Sequence, residues 1–142
     1  MDNDTGMKNH HFSVPAAWCD YNEHFSDCFY LIPFSAGLDH VLDGVGLGQQ
    51  YRGDFSTYTV ESHIRYLREA KENDQLTVVS TIRDADSKRL FTRHEMLRGA
   101  EIIATCEFVC LHVDVRIPKS TPFPDVIFSN IQRLKSKPQE NS

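Results

Sequence analysis

Apolar side chains change their spacing along the chain, and the spacing predicts one long helix followed by strands. Residues 27–44 ("DCFYLIPFSAGLDHVLDG") place apolar side chains three and four positions apart, which predicts an amphipathic helix of about four turns. Ser26 or Asp27 is expected to cap its start and Gly44 to end it. Pro33 falls inside the segment and is expected to distort the second turn. The predicted buried stripe contains Tyr30, Phe34, Leu38, Val41 and Leu42.

From residue 57 the spacing becomes two, which predicts four strands. They are "TYTVESHIRYLR", "QLTVVSTIRDA", "RLFTRHEMLRG" and "EIIATCEFVCLHVDV", and the short joints "DSK" and "GA" predict tight hairpin turns. A short first strand is expected within "HFSVPAAW", ending near Pro15, and a closing helix within "TPFPDVIFSNIQRL". The last strand is apolar on both faces, so it is predicted to lie inside the sheet.

These elements predict an α+β fold in which a curved, antiparallel, five-stranded sheet wraps around one long central helix, with a short C-terminal helix added. A single domain is expected over residues 11–134, between loose ends at residues 1–10 and 135–142. A bare strand edge readily pairs with another strand, so an exposed edge of this sheet is expected to pair with a second copy. A homodimer is therefore predicted, and a tetramer is left open.

Composition narrows the classes of function. The chain has 142 residues, of which 40% are hydrophobic and 25% charged, as expected of one globular domain. Its net charge of -5 disfavours nucleic acid and anionic membranes as partners. Neither an apolar span nor a secretory signal is visible, so a cytoplasmic location is expected. The four cysteines are expected to be reduced, with Cys106 and Cys110 packed on one strand face, and no metal or other cofactor is predicted.

Three segments resemble the hotdog-fold acyl-CoA thioesterases: "WCDYNEHFSDCFY", "ESHIRYLREAKENDQLTV" and "KRLFTRHEM". Within this 4-hydroxybenzoyl-CoA thioesterase-like superfamily, the chain most resembles the betainyl-CoA thioesterases of carnitine breakdown. That branch carries W-x-D-Y-N-G-H-M-N in its first loop and L-H-V-D in its last strand. Residues 18–26 and 111–114 correspond here, and Glu23, Phe25 and Ser26 depart from the motif.

The resemblance implies thioester hydrolysis at the start of the helix, where backbone N–H groups can hold the developing oxyanion. The amides from His24 to Asp27 are the predicted donors. Asn22 matches the catalytic aspartate of similar aryl-type enzymes but cannot act as base or nucleophile, so it is expected to hold a water molecule or the carbonyl group. His24 is expected to polarise the substrate or to shuttle a proton.

The hydrolytic carboxylate is then Asp20, Glu23 or Glu61. A carboxylate at Glu61 would be partly desolvated if its strand faces the helix start, which makes it a good candidate. Each role has a structural alternative, because Asp20 could cap the loop, Glu61 could lie on the surface and His24 could bind backbone. General-base and covalent catalysis both remain open.

The resemblance also implies how the substrate is held. Lys88 and Arg89 in "IRDADSKRLFTR" match a basic turn that contacts the nucleotide in similar enzymes, and they are predicted to bind the phosphates of coenzyme A. Rings could form a cage around a trimethylammonium group through cation–π attraction. The candidates are Trp18, Tyr21, Phe25, Tyr30, Tyr58 and Tyr66. A hotdog enoyl-CoA hydratase and a non-catalytic acyl-CoA binding module are the alternative functions.

Overall fold

The computed structural model describes residues 7–135. It contains one antiparallel sheet with a long helix packed on one face. The strands are β1 (His10–Ser13), β2 (Phe55–Tyr66), β3 (Gln75–Ala85), β4 (Arg89–Arg98), β5 (Glu101–Asp114) and the two-residue β6 (Lys119–Ser120). The helices are α1 (Leu31–Val45) and α2 (Asp125–Leu134), with short 3-10 turns at Ala16–Trp18, Asp27–Phe29 and Gln49–Tyr51. All strand pairs are antiparallel, in the order β1-β3-β4-β5-β2, with β6 beside β5. The predicted α+β architecture is confirmed.

Helix α1 buries one face against β1, β3 and β4. The predicted stripe is confirmed, because Tyr30, Phe34, Leu38, Val41 and Leu42 are all 6% exposed or less. Burying each such side chain contributes about 1.5–3 kcal/mol to stability, so this face holds the helix on the sheet. Among the described residues, no helix is long and apolar enough to cross a bilayer.

The ends of α1 differ from the prediction. Pro33 is the third residue of the helix, where the N–H groups lack an intrahelical partner anyway, so its missing N–H causes no distortion. Gly44 lies within the helix, which ends at Val45. Gly46 is the residue that ends it, because its φ of 95° lies in the left-handed region that favours glycine. Ser26 takes the extended conformation of a cap before the 3-10 turn, but its side chain caps no backbone group.

Strand β2 is a long and sparsely covered edge of the sheet. Helix α1 packs on the other half of the sheet, against β1, β3 and β4. On β2, Tyr58, Val60 and Tyr66 are each about half exposed. Strand β5 lies between β2 and β4, so the predicted interior position of the last strand is confirmed. Its Cys106 and Cys110 are buried, and burial raises the pKa of these thiols to about 12 and about 11, so both stay protonated.

The domain extends beyond its predicted limits at both ends. Met7 is only 2% exposed and belongs to the hydrophobic core, so the described part of the N-terminus is packed. Lys135 is held against β3 by an ion pair of 3.0 Å with Asp84. The remainder of the predicted loose ends, residues 1–6 and 136–142, lies outside the described residues.

A buried polar cluster lies where α1 comes closest to the sheet. A Cβ atom on Gly37 would come within 2.9 Å of Ser80 Oγ and 2.8 Å of Val78 Cγ1, so the approach requires glycine. His94 is fully buried there, with Nδ1 2.6 Å from Ser80 Oγ and Nε2 2.8 Å from Thr92 Oγ1. Burial lowers the pKa of His94 to about 3, so the imidazole is neutral in the folded protein.

Replacement of His94 by glutamine should flatten the acid side of the stability curve. The unfolded chain binds a proton at this position near pH 6.5, whereas the folded chain binds one only near pH 3. The contribution of His94 to the free energy of unfolding is therefore fully present above pH 6.5 and is lost as the pH falls towards 3. Between pH 7 and pH 5 this group should contribute a loss of about 2 kcal/mol. Urea unfolding of the parent and His94→Gln at both pH values measures the difference. Equal losses in the two proteins would contradict a neutral buried His94.

Candidate active site

A cleft of about 410 Å³ opens at the start of the helix. The polar loop forms one wall, and the end of β2 with the segment after it forms the other. Its lining contains Asp20, Asn22, His24, Phe25, Asp27, Tyr30, Tyr66, Leu67, Arg68 and Glu69. A second hollow of about 510 Å³ lies on the other side of the loop and is bordered by Glu23, Lys71 and Glu72. The structure thus brings together Asp20, Asn22 and His24, which border both spaces.

Asp20 shapes the loop. Its Oδ1 accepts the backbone N–H of Asn22 at 2.9 Å and that of His24 at 3.2 Å. A side chain that closes a turn in this way acts as a cap, so the geometry matches the loop-capping alternative. Glu23, at the glycine position of the motif, has a φ of 66° in the left-handed region, where glycine would be less strained.

Two unengaged backbone N–H groups lie at the start of the helical segment, and Asp27, which carries one of them, belongs to the predicted set and lines the cleft. His24, Phe25 and Ser26 donate their N–H groups within the protein, to Asp20 Oδ1 and to the carbonyl oxygens of Ala70 and Trp18. The N–H groups of Asp27 and Cys28 donate to none of the described residues. The reason is that Ser26 is the cap residue, so the amides without helical partners are those that follow it.

His24 has a neighbour that the sequence did not reveal. Its side chain is one-third exposed, and Nε2 lies 3.4 Å from Oε2 of Glu69. Glu69 follows directly after β2, in the stretch "YLREAK". Its position within a segment matched to the thioesterases was a signal, but nothing in the sequence paired it with His24.

Glu61 was expected to face the helix start, but its side chain points the other way. It lies opposite Val109, whose chain neighbours Phe108 and Cys110 are buried, so Val109 and Glu61 point to the other, outer face of the sheet. A bulge after Thr59 inserts one residue, so the side-chain alternation of the strand changes before Glu61. Tyr58 also points outward, opposite Leu111.

The aromatic residues form a floor for the cleft. Phe25 and Tyr30 are buried and stack with ring centroids 4.0 Å apart, and half-buried Trp18 stacks on Phe25 at 5.9 Å. Tyr66 contacts the Tyr30 ring edge-on at 4.9 Å and lines the opening. Tyr21 is 95% exposed and takes no part. The predicted cage is therefore not assembled within one chain.

The basic hairpin keeps part of its charge engaged. Arg89 Nε lies 2.7 Å from Asp86 Oδ2, and the guanidinium lies 5.5 Å from the Phe91 ring centroid. Hydrogen bonds from the Lys88 backbone N–H and from Arg89 lower the pKa of Asp86, whose carboxylate organises this turn. The Lys88 ammonium forms no ion pair with residues 7–135.

This hairpin lies far from the cleft in a single chain. The segment that leads into the polar loop is held at the start of β3, because the Val14 N–H donates to the Asp74 carbonyl oxygen. Lys88 and Arg89 follow the other end of β3, which is 11 residues long, and a strand of that length spans about 33 Å. One chain therefore does not bring the two predicted parts of the site together.

The L-H-V-D motif serves the fold at the far end. Buried His112 places Nε2 2.7 Å from the Tyr51 hydroxyl oxygen and Nδ1 2.9 Å from the Thr121 carbonyl oxygen. Asp114 receives hydrogen bonds from Arg116, which lower its pKa. Both residues tie the end of β5 to its loops. Across residues 7–135, no group of three or more histidine, cysteine or carboxylate side chains is arranged to hold a metal.

Known proteins resemble this chain over most of its length. The model of the thioesterase-like superfamily matches residues 14–131. The L-carnitine dehydrogenase/betainyl-CoA thioesterase of Agrobacterium fabrum is 34% identical over 136 residues, covering 94% of this chain and 28% of that protein. The betainyl-CoA thioesterase of Pseudomonas aeruginosa is 35% identical over 121 residues, covering 82% of this chain and 76% of that protein. The chain thus spans little more than a quarter of the fused relative.

A solved structure shows the same fold. A Staphylococcus aureus protein, characterised in complex with CoA, has a TM-score of 0.86 and 24% sequence identity. The match covers 98% of this chain and 90% of that one. At this identity the likeness establishes the fold, a curved sheet around a long helix.

Substitution of Asp20 should separate a capping role from a chemical one. Asp20→Ala removes the acceptor of two N–H groups, which should cost about 1–2 kcal/mol and speed amide hydrogen exchange at Asn22 and His24. Asp20→Asn keeps an acceptor oxygen and should leave most of the protection in place. Exchange measured by NMR at these two amides is the test. Unchanged protection in Asp20→Ala would contradict the cap.

Proposed function

Because the chain belongs to the thioesterase-like superfamily, we propose that it hydrolyses an acyl-CoA thioester to a free acid and CoA. The observation that carries the proposal is the pair of unengaged amides at Asp27, which lines the cleft, and at the next residue, Cys28. Such donors at a helix start favour an oxygen that gains negative charge. The cleft also holds His24 and Asn22, which supply a proton acceptor and a polar amide.

The chemistry follows from these positions. The thioester oxygen accepts hydrogen bonds from the amides of Asp27 and Cys28, and charge grows on it as water adds to the carbonyl carbon. Asn22 holds the water, and His24 takes its proton. The carbon–sulfur bond then breaks, and the thiolate of CoA receives a proton as it leaves. Loss of one oxyanion donor typically slows such steps about 10²–10³-fold, which makes the amides the central part.

The distance to the basic hairpin supports a homodimer. The edge of β2 is long and pairs with no other strand among residues 7–135. Its Tyr66 end lies at the cleft, and its Phe55 end lies on the hairpin side. Antiparallel pairing of two β2 edges places the hairpin end of one copy beside the cleft of the other. In this arrangement Lys88 and Arg89 of the partner subunit hold the CoA phosphates.

The acyl group proposed is betainyl, as in the names of the relatives. Its trimethylammonium head carries a positive charge, and the exposed carboxylate of Asp27 lines the same cleft. The ring of Tyr66 at the opening adds a face suited to a quaternary ammonium group. Charge and one exposed ring therefore take the place of the cage predicted from many rings.

A matched substrate pair tests the reaction and the acyl preference. Betainyl-CoA and 3,3-dimethylbutyryl-CoA differ by one atom, a cationic nitrogen against a neutral carbon. We expect CoA release from both, measured with a thiol dye, and at least about tenfold higher kcat/KM for the cation. Equal kcat/KM values for the two substrates would contradict recognition of the positive charge. Release from no acyl-CoA would contradict hydrolysis, and an absorbance change with crotonyl-CoA alone would indicate a hydratase.

Mixed dimers test the shared site. One variant carries His24→Ala, and the other carries Lys88→Glu with Arg89→Glu, so each should be nearly inactive alone. After subunit exchange, half of the dimers are mixed and each has one complete site, so activity should return to about a quarter of the parent's. No recovery, with exchange verified by labelled subunits, would place the cleft and the hairpin of one site in the same chain.

A further inference from the structure

Glu69 stands in contact with the one imidazole of the cleft. The Nε2 atom of His24 lies 3.4 Å from Glu69 Oε2, and both side chains line the same opening. Glu69 is 77% exposed and His24 33% exposed, so the carboxylate lies on the solvent side of the ring. This arrangement leaves the other ring nitrogen, Nδ1, as the acceptor in a neutral imidazole.

The backbone on both sides of this pair is fastened. Phe25 N–H donates to the Ala70 carbonyl oxygen at 2.8 Å, and His24 forms a bridge with Lys71. These contacts hold the two segments side by side, immediately next to the two side chains. The approach of Glu69 to His24 is therefore imposed by the backbone.

Arg98 fixes the same segment from the sheet. Its Nη1 donates to the Glu69 carbonyl oxygen at 2.9 Å and to Asp74 Oδ2 at 3.0 Å. Its Nη2 donates to Glu101 Oε1 at 2.8 Å, and this hydrogen bond is the main reason that the pKa of Arg98 is raised. A guanidinium with three acceptors is held firmly, so Glu69 stands on an anchored support.

We propose that Glu69 is a positioning residue that orients His24 for proton transfer. With Nε2 directed at the Glu69 carboxylate, 3.4 Å away, Nδ1 is left to accept the proton of the water, and a negative charge lies beside the imidazolium that forms. A carboxylate that orients a histidine base in this way is a recurring device in hydrolases. The inference rests on the proposed function, because it assigns His24 the proton transfer.

Kinetics of three variants test the role. Glu69→Gln keeps the size of the side chain and removes its charge, and it should lower kcat about tenfold while KM changes less than about twofold. Glu69→Asp should restore part of kcat. The control is Glu72→Gln, on the same segment but facing the second hollow, and it should keep the parental kcat. A parental kcat in Glu69→Gln would overturn the proposal.

A double variant separates positioning from other effects. If Glu69 acts through His24, then Glu69→Gln should have no further effect in a His24→Ala background, whereas a structural or substrate contact would reduce kcat again. The effect should also be equal for betainyl-CoA and its neutral analogue. A loss confined to the cationic substrate would make Glu69 a substrate contact and overturn the proposal.

A spectroscopic measurement stands apart from turnover. The ¹⁵N shifts of the His24 ring should show the Nε2–H form in the parent and a mixture of the two tautomers in Glu69→Ala. Identical shifts in both would contradict the contact even if the enzyme is active. A parent that releases no CoA but shows this change would instead refute hydrolysis and leave the orientation of His24 established.

Discussion

The contact between α1 and the inner face of β3 and β4 determines where everything else can lie. It is close because Gly37 presents no side chain, so the backbone of the helix meets Ser80, Val78 and the buried imidazole of His94. Protein interiors pack as densely as crystals, so a helix seated at this depth has little freedom to slide or tilt. Its first residues are thereby held at a constant place on the rim of the sheet.

The loop before the helix is then defined by where its backbone groups find partners. His24, Phe25 and Ser26 donate their N–H groups within the loop and to the segment after β2, and the next two amides, at Asp27 and Cys28, donate to none of the described residues. The rings of Phe25 and Tyr30, on either side of these residues in the chain, are buried and stack on each other. The loop amides up to Ser26 therefore stabilise the fold, and the next two are the donors of the proposed reaction.

Periodicity predicted the elements well because burial enforces it. The stripe along α1 and the alternation along β3 to β5 are both consequences of a face that must leave water. The direction of Glu61 differs from the expectation because a bulge adds one residue to β2, and the local composition gives no sign of this bulge. The end of the helix was misplaced because Gly44 and Gly46 are equally plausible stops until a backbone angle chooses between them.

The site was less accessible to sequence reasoning because it depends on pairs distant along the chain. The loop motif lies beside the helix start, and its Asp20, Asn22 and His24 line the cleft there. The neighbour of His24 comes from a segment 45 positions later, which only tertiary structure brings close. Lys88 and Arg89 illustrate the opposite case, since a matching motif carried no information about the length of β3 that separates them from the loop.

If two copies pair through their β2 edges as proposed, the irregularity of this strand affects the register that they adopt. A flat, regular edge can join a neighbour in many alignments, and each slip satisfies nearly as many hydrogen bonds as the correct one. The extra residue after Thr59 breaks that translational repeat, so only an alignment that matches both irregularities leaves few backbone groups unpaired. In the proposed dimer, the bulge would therefore favour one register between the two β2 strands. It would also disfavour the open-ended edge-to-edge association to which regular strands are prone.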